Sequence, residues 1–254
     1  MRTPRSNMLR SRSVRRNAHG RTSSRRLPPS CKGDAHLTLT HADAACAAYA
    51  EEPNPVHEGA AQVARGWALS MLGRAEEGIP ILRAGLDKYA ASGQRSSLES
   101  FSIMLAEALG QSGSVDAALA VLDVAANADI GEEFDRAYGL RVRAELLAAD
   151  AAAPANVAAV YDAALAAARR IGARSLALRA ATSYARWLHA QGRRHQASAR
   201  LAAIYAEFTQ GLETIVLREA RGVLEALGNS AGPELSAAEL GTTGASRAPA
   251  ARPS

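Results

Sequence analysis

Apolar residues in the middle of the chain return at the spacing of a helix face. Phe101, Met104, Leu105, Ala108 and Leu109 stand at i, i+3, i+4, i+7 and i+8, which predicts one buried stripe. Ser96-Ser97-Leu98-Glu99 before it has the form of a capping box. The next stretch gives Ala118, Leu119, Leu122 and Ala125. Ala180, Tyr184, Trp187 and Leu188, then Ala197, Leu201 and Ile204, repeat the plan further on. Gly73, Gly113 and Gly192 each end one helical run and precede another. Gly73 and Gly113 are 40 residues apart and Gly113 and Gly192 are 79 apart, so an unmarked junction is expected midway. Ala149-Asp150-Ala151-Ala152-Ala153-Pro154 is a helix-breaking link at that place. A period near 40 residues over four units predicts an all-α helical solenoid, each unit a pair of helices.

Small residues recur where helices must approach closely: Gly66, Gly78, Gly85, Ala106, Ala118, Ala125, Ala144, Ala164, Ala185 and Ala197. Leu and Tyr alternate with them and fill the gaps, as stacked helical hairpins require. Before the units, His41 to Glu51 is helix-prone and is stopped by Pro53 and Pro55, which suits the surviving second helix of a preceding repeat. After them, Leu212 to Leu227 is amphipathic and can cover the last open face. The expected organisation is therefore a disordered basic tail over 1–36, a partial helix and linker over 37–55, the repeat domain with its capping helix over 56–227, and a disordered tail over 228–254.

Composition fits this picture. Apolar residues make up 48% of the 254 but aromatics only 4%, so the cores are built from close-approaching small side chains. Ala, the commonest of them, is also the best helix former. No apolar run reaches the ~18 residues of a membrane span, and no compact apolar signal core follows the basic start. The reading is a soluble, cytoplasmic protein without a membrane partner.

Charge changes the reading of the N-terminus alone. Residues 1–36 hold nine Arg and Lys32 against Asp34, a surplus of nine, which leaves the remainder at −4 within the overall +5. Such a tail could grip phosphate backbones through counterion release, but it lacks aromatics for base stacking, so a nucleic-acid role is the lesser alternative. Its Arg- and Ser-rich, acid-poor composition also suits an organellar transit peptide. A solvated extension is the plain reading.

Candidate chemistry is sparse. Cys31 and Cys46 lack a CxxC or a His at ligand spacing, so neither zinc nor a disulfide framework is indicated. Lys32 and Lys88 are the only lysines and no GxxxxGK[ST] occurs, so a P-loop is missing. A two-metal cyclase site needs paired acids on strands, and the pattern predicts no strand. His189 and His195 straddle Gly192 without a neighbouring acid cluster and read as exposed turn residues. Ser96-Ser97 reads as a cap rather than a nucleophile pair. Glu76, Glu77 and Asp116 open second helices, where acids complement the helix dipole. The expectation is no enzyme, no cofactor and no metal.

The spacing of small and large residues resembles the tetratricopeptide repeat. The first unit supplies Gly66, Leu69, Gly73, Gly78, Leu82 and Gly85, and the second Ala106, Leu109, Gly113, Ala118, Leu122 and Ala125. The third reads Ala144, Leu147, the Pro154 link, Val157, Tyr161 and Ala164, and the fourth Ala185, Leu188, Gly192, Ala197, Leu201 and Ile204. The chain departs from that pattern in its longer period, in lacking Pro at unit ends, and in Val157 and Ile204 where Ala is usual. The resemblance implies a right-handed superhelical solenoid of antiparallel helix pairs. Gly66–Gly85, Ala164–Arg186, Gln191–Arg194 and Tyr205–Gly211 are further similar to the C-terminal repeat region of large bacterial signalling proteins. Those proteins join a class III adenylate or guanylate cyclase, a predicted ATPase and a tetratricopeptide array. This implies a signal-transduction origin and no activity of this chain.

The family's first helices line an inner groove. Carried over by position, the partner-binding candidates are Val63, Trp67, Ser70, Ile103, Glu107, Tyr138, Arg141, Glu145, Arg179, Thr182, Arg186 and His189. The C-terminal half of that groove is cationic, and Arg179 and Arg186 lie two turns apart, which suits an acidic peptide or protein partner. The plainer readings pair these arginines with neighbours such as Glu145 and make Trp67 an inter-repeat packing residue. The expected function is a non-catalytic protein-interaction module that binds protein partners or itself. The alternatives are a regulatory subunit acting on a cyclase or ATPase of another chain, and a nucleic-acid-associated protein using the basic tail.

Overall fold

The computed structural model describes residues 32–127, 132–149 and 156–229. Ten helices and no strand occur among them: α1 (Lys32–Glu51), α2 (Pro55–Met71), α3 (Ala75–Ala91), α4 (Leu98–Gln111), α5 (Val115–Ala126), α6 (Glu133–Ala149), α7 (Val157–Arg170), α8 (Arg174–Ala190), α9 (Arg194–Tyr205) and α10 (Ile215–Asn229). The four expected pairs appear as α2/α3, α4/α5, α6/α7 and α8/α9. Within each pair the two helices pack on one another, and each second helix also packs on the first helix of the next pair.

The turns follow from glycine. Gly73, Gly113 and Gly192 have φ of 87°, 82° and 75°, a left-handed backbone that costs a residue with a Cβ more than it costs Gly. Each closes its helix in the same way: Arg74 N–H bonds the carbonyl of Leu69 and Gly73 N–H that of Ser70, and the other two turns repeat these bonds. Gly172 (φ 67°) makes the same closure after α7. The break expected at Ala149–Pro154 falls between α6 and α7, with residues 150–155 outside the described set.

α2 and α3 lie closest. A Cβ on Gly66 would stand 2.4 Å from the carbonyl oxygen of Gly78, and one on Gly59 would stand 2.8 Å from that of Gly85. Contacts 59 to 85 and 66 to 78 fix the pair as antiparallel. All ten small residues marked in the sequence are buried. Two apolar clusters result, one around Val63, Leu82, Ile103, Leu109, Leu122 and Val142, the other around Val157, Tyr161, Leu178, Tyr184, Leu188 and Leu201. Tyr138 of α6 packs against both.

Three sequence expectations need correction. α1 begins at Lys32 rather than near His41, so residues 32–36 belong to a helix and not to the tail. Its α2-facing positions Ala35, Leu39, Ala42, Cys46 and Tyr49 keep helical spacing through residues too small or polar to mark a stripe. The expected capping box does not form. Ser97 is the N-cap of α4 without a side-chain cap bond, and the Ser96 hydroxyl sits 3.4 Å from the hydroxyl of Tyr89 instead. The final helix starts at Ile215, three residues later than the amphipathic pattern suggested. Of the tails expected over 1–36 and 228–254, residues 1–31 and 230–254 lie outside the described residues, and Gly228 and Asn229 belong to the final helix rather than to a tail.

α10 is positioned as one more first helix. It packs on α8 and α9 as α4 packs on α2 and α3. Arg186 of α8 pairs with Glu219 of α10, and the Arg194 side chain donates to the carbonyls of Leu227 and Gly228 at the far end. These contacts make α10 parallel to α8.

Candidate functional site

The first helices run parallel and bring equivalent positions of successive pairs together. Trp67 of α2 donates its indole N–H to Glu107 of α4 at 2.8 Å. The Tyr138 hydroxyl of α6 donates to the same carboxylate oxygen at 2.6 Å. Arg141, also on α6, pairs through one nitrogen with the other oxygen of Glu107 and through a second with Glu145 at 2.6 Å. Glu145 in turn accepts the Ser183 hydroxyl of α8 at 2.6 Å. One polar spine thus joins α2, α4, α6 and α8.

Five of the twelve groove candidates, Trp67, Glu107, Tyr138, Arg141 and Glu145, meet in this spine. Burial decides what they can do. Glu107 keeps 3% of its surface and Arg141 6%, so these charges are spent on each other and on the donors around them. A carboxylate removed from water needs such donors, since the loss of hydration otherwise costs several kcal/mol. Burial, and after it the nearby Glu145 charge, pushes the Tyr161 phenol well above its ordinary value, which keeps it a neutral neighbour of the spine.

The remaining candidates divide. Val63 and Ile103 are buried in the core, and Ser70 and Thr182 are buried with hydroxyls bonded to the carbonyls of Gly66 and Leu178 in their own helices. Val63, Ser70 and Thr182, with Glu107 and Arg141, do not line an open groove, and Ile103 reaches only the cleft described below. Packing of α2, α4, α6 and α8 along this face buries these positions. Arg179 is half-buried and has a partner of its own. Arg186 is taken by Glu219, so reversing its charge would act on the docking of α10 as well as on any ligand. His189 is exposed. Ser183 and Glu219 were not expected. Ser183 lies 38 residues after Glu145, close to the period that already marked Trp67 and Glu107, and that spacing is the signal that could have found it.

A second feature lies between α4, α5 and α6. A cleft of about 600 Å³ has Ile103, Leu122 and Leu140 among its apolar lining and Glu99, Glu132 and Asp135 among its acids. Three of its six charged residues are engaged: Ser100 donates to Asp135, Arg170 pairs with Glu133 and Arg143 with Asp123. Burial, and then the charge of Asp135, raises the Glu99 carboxyl above its usual range. A carboxyl raised on folding binds protons more tightly in the folded state, so its contribution falls as pH rises through the raised value. Glu99→Gln is therefore expected to make the chain more stable than the unsubstituted protein at neutral pH, with the difference vanishing below the ordinary carboxylate range. Urea unfolding of both proteins over a pH series measures this; a variant less stable at pH 7 would remove the burial argument.

Among the described residues, no group of three His, Cys, Asp or Glu could hold a metal ion, and no helix is long and apolar enough to cross a membrane. No family model matches the chain, nor does any curated protein or solved structure.

Proposed function

We propose that the chain is a non-catalytic protein-interaction module, a tetratricopeptide-like right-handed solenoid of helix pairs whose last described helix is α10. The observation that supports this best is the parallel arrangement of α2, α4, α6, α8 and α10, each bonded through side chains to the next. An array of this kind offers an extended rigid surface on which a partner can lie. The partner is a protein, and the surface available to it is what the spine leaves exposed rather than the spine itself. The resemblance to the repeat region of cyclase–ATPase signalling proteins gives the module a signal-transduction setting.

The test pairs activity with capture. The purified chain is expected to leave ATP and GTP neither hydrolysed nor cyclised, and to retain a defined protein in affinity capture. Turnover that rises with the amount of chain, or no protein retained above a control, contradicts the proposal.

A further inference from the structure

Among the described residues the array begins and ends with half a unit. α1 stands before α2 as a second helix stands before the next first helix, and it runs antiparallel to α2, with Asp43 paired to Arg65 at 2.7 Å and Tyr49 stacked on His57. At the other end α10 is a first helix. We infer that copies of this chain join head to tail, α10 of one copy packing antiparallel on the outer face of α1 of the next, so that the two half-units complete one helix pair. The inference rests on the solenoid reading above.

Charge selects a second copy as the occupant. Residues 35–150 carry seventeen acids against eight Arg and Lys, whereas residues 151–229 carry ten Arg against five acids. The helices from α1 to α6 are thus negative and those from α7 to α10 positive, while the basic residues of 1–32 precede or open α1, at the end opposite Glu51 and Glu52. The same opposition appears locally. Glu51 and Glu52 are exposed at the C-terminal end of α1, where the helix dipole disfavours negative charge, and no basic residue occupies its last turn. Arg218 is exposed in the first turn of α10, where the dipole disfavours positive charge, and Arg221 follows one turn later. None of these four side chains makes an ion pair among the described residues. An antiparallel pair sets the start of α10 against the end of α1 and brings both mismatches together with opposite sign.

The surfaces also suit close approach. The outer face of α1 carries exposed Leu37, His41, Ala44 and Ala48 at helical spacing. On the exposed face of α10 a Cβ placed on Gly222 would meet nothing within 4 Å, so a neighbouring helix can come near there as α3 comes near Gly66. The two surfaces differ and lie at opposite ends, so each copy keeps one of them open and the association is open-ended.

Sedimentation velocity of the full chain over a concentration series tests this. The mean mass should rise above the 26.5 kDa of one chain with concentration and fall back with added salt. Arg218→Glu with Arg221→Glu, and separately Glu51→Arg with Glu52→Arg, should each weaken association at least ~10-fold, because each sets like charges against one another. An equimolar mixture of the two double variants, and a chain carrying all four substitutions, should recover it. A wild-type chain that stays monomeric at every concentration, association untouched by either double variant, or variants that do not restore each other would overturn the inference. Far-UV circular dichroism confirms that each variant is folded, and X-ray scattering separates the two failures. An elongated monomer keeps the solenoid and removes only the head-to-tail contact, whereas a compact monomer removes both.

Discussion

Gly66→Ala is expected to destabilise the chain by about 3 kcal/mol, the upper part of the usual range for overpacking a tight interface. Helix propensity alone points the other way, since Ala in place of an interior helical Gly ordinarily gains ~1 kcal/mol. Packing decides because the new Cβ would lie 2.4 Å from the Gly78 carbonyl oxygen and 2.5 Å from the Leu82 amide nitrogen. Both are backbone atoms of α3 and cannot swing aside as a flexible side chain could. The helices must separate, and Val63 and Leu82, both fully buried, lose contact with them. The same substitution at Gly222, which faces open space, should follow propensity and stabilise slightly. Urea unfolding of the two variants side by side gives opposite signs on this account. A Gly66→Ala protein as stable as the unsubstituted chain would mean that α2 and α3 are further apart than described.

Glu107→Ala is expected to cost about 3–5 kcal/mol, the range for breaking a buried ion pair by removing one partner. Three donors lose their acceptor at once: the Trp67 indole, the Tyr138 hydroxyl and one arm of Arg141. Arg141, itself buried, is left with Glu145. Glu107→Gln keeps the shape and one acceptor oxygen and should cost less. The ordering Ala worse than Gln distinguishes lost hydrogen bonding from lost volume. Thermal unfolding measures both, with near-ultraviolet circular dichroism reporting the surroundings of Trp67 and Tyr138. A loss below 1 kcal/mol for Glu107→Ala would show that water reaches the carboxylate and that the spine is open to solvent.

The pairs α2/α3, α4/α5 and α8/α9 were legible because three signals coincide in each of them, whereas α6/α7 was placed from the repeat spacing and the Pro154 link. In α2/α3 the apolar stripe gives the helix, Gly73 gives the turn, and Gly66, Gly78 and Gly85 give the side that faces the partner helix. α1 was half legible. Its buried positions are Ala35 and Ala42 with half-buried Leu39 and Cys46, and small residues set among Thr and His carry little periodic contrast. The candidate site was legible in membership and not in state. Trp67, Glu107, Tyr138, Arg141 and Glu145 follow from their places in the repeat, but whether they face solvent or each other depends on how far parallel helices slide along one another. That stagger differs from unit to unit: Trp67 and Glu107 are 40 residues apart, Glu107 and Arg141 34, Glu145 and Ser183 38. A period read from glycines cannot supply those differences, because link lengths and packing angles set them.

The spine as a continuous structure is tested most directly by a double-mutant cycle between Trp67→Phe and Arg141→Met. These residues sit on α2 and α6, and what joins them is the carboxylate of Glu107 on α4. If that carboxylate holds the two units in step, the two losses of stability should differ from additive by about 0.5–3 kcal/mol. Additivity within about 0.3 kcal/mol would show that the units are independently stable and that no polar spine connects them.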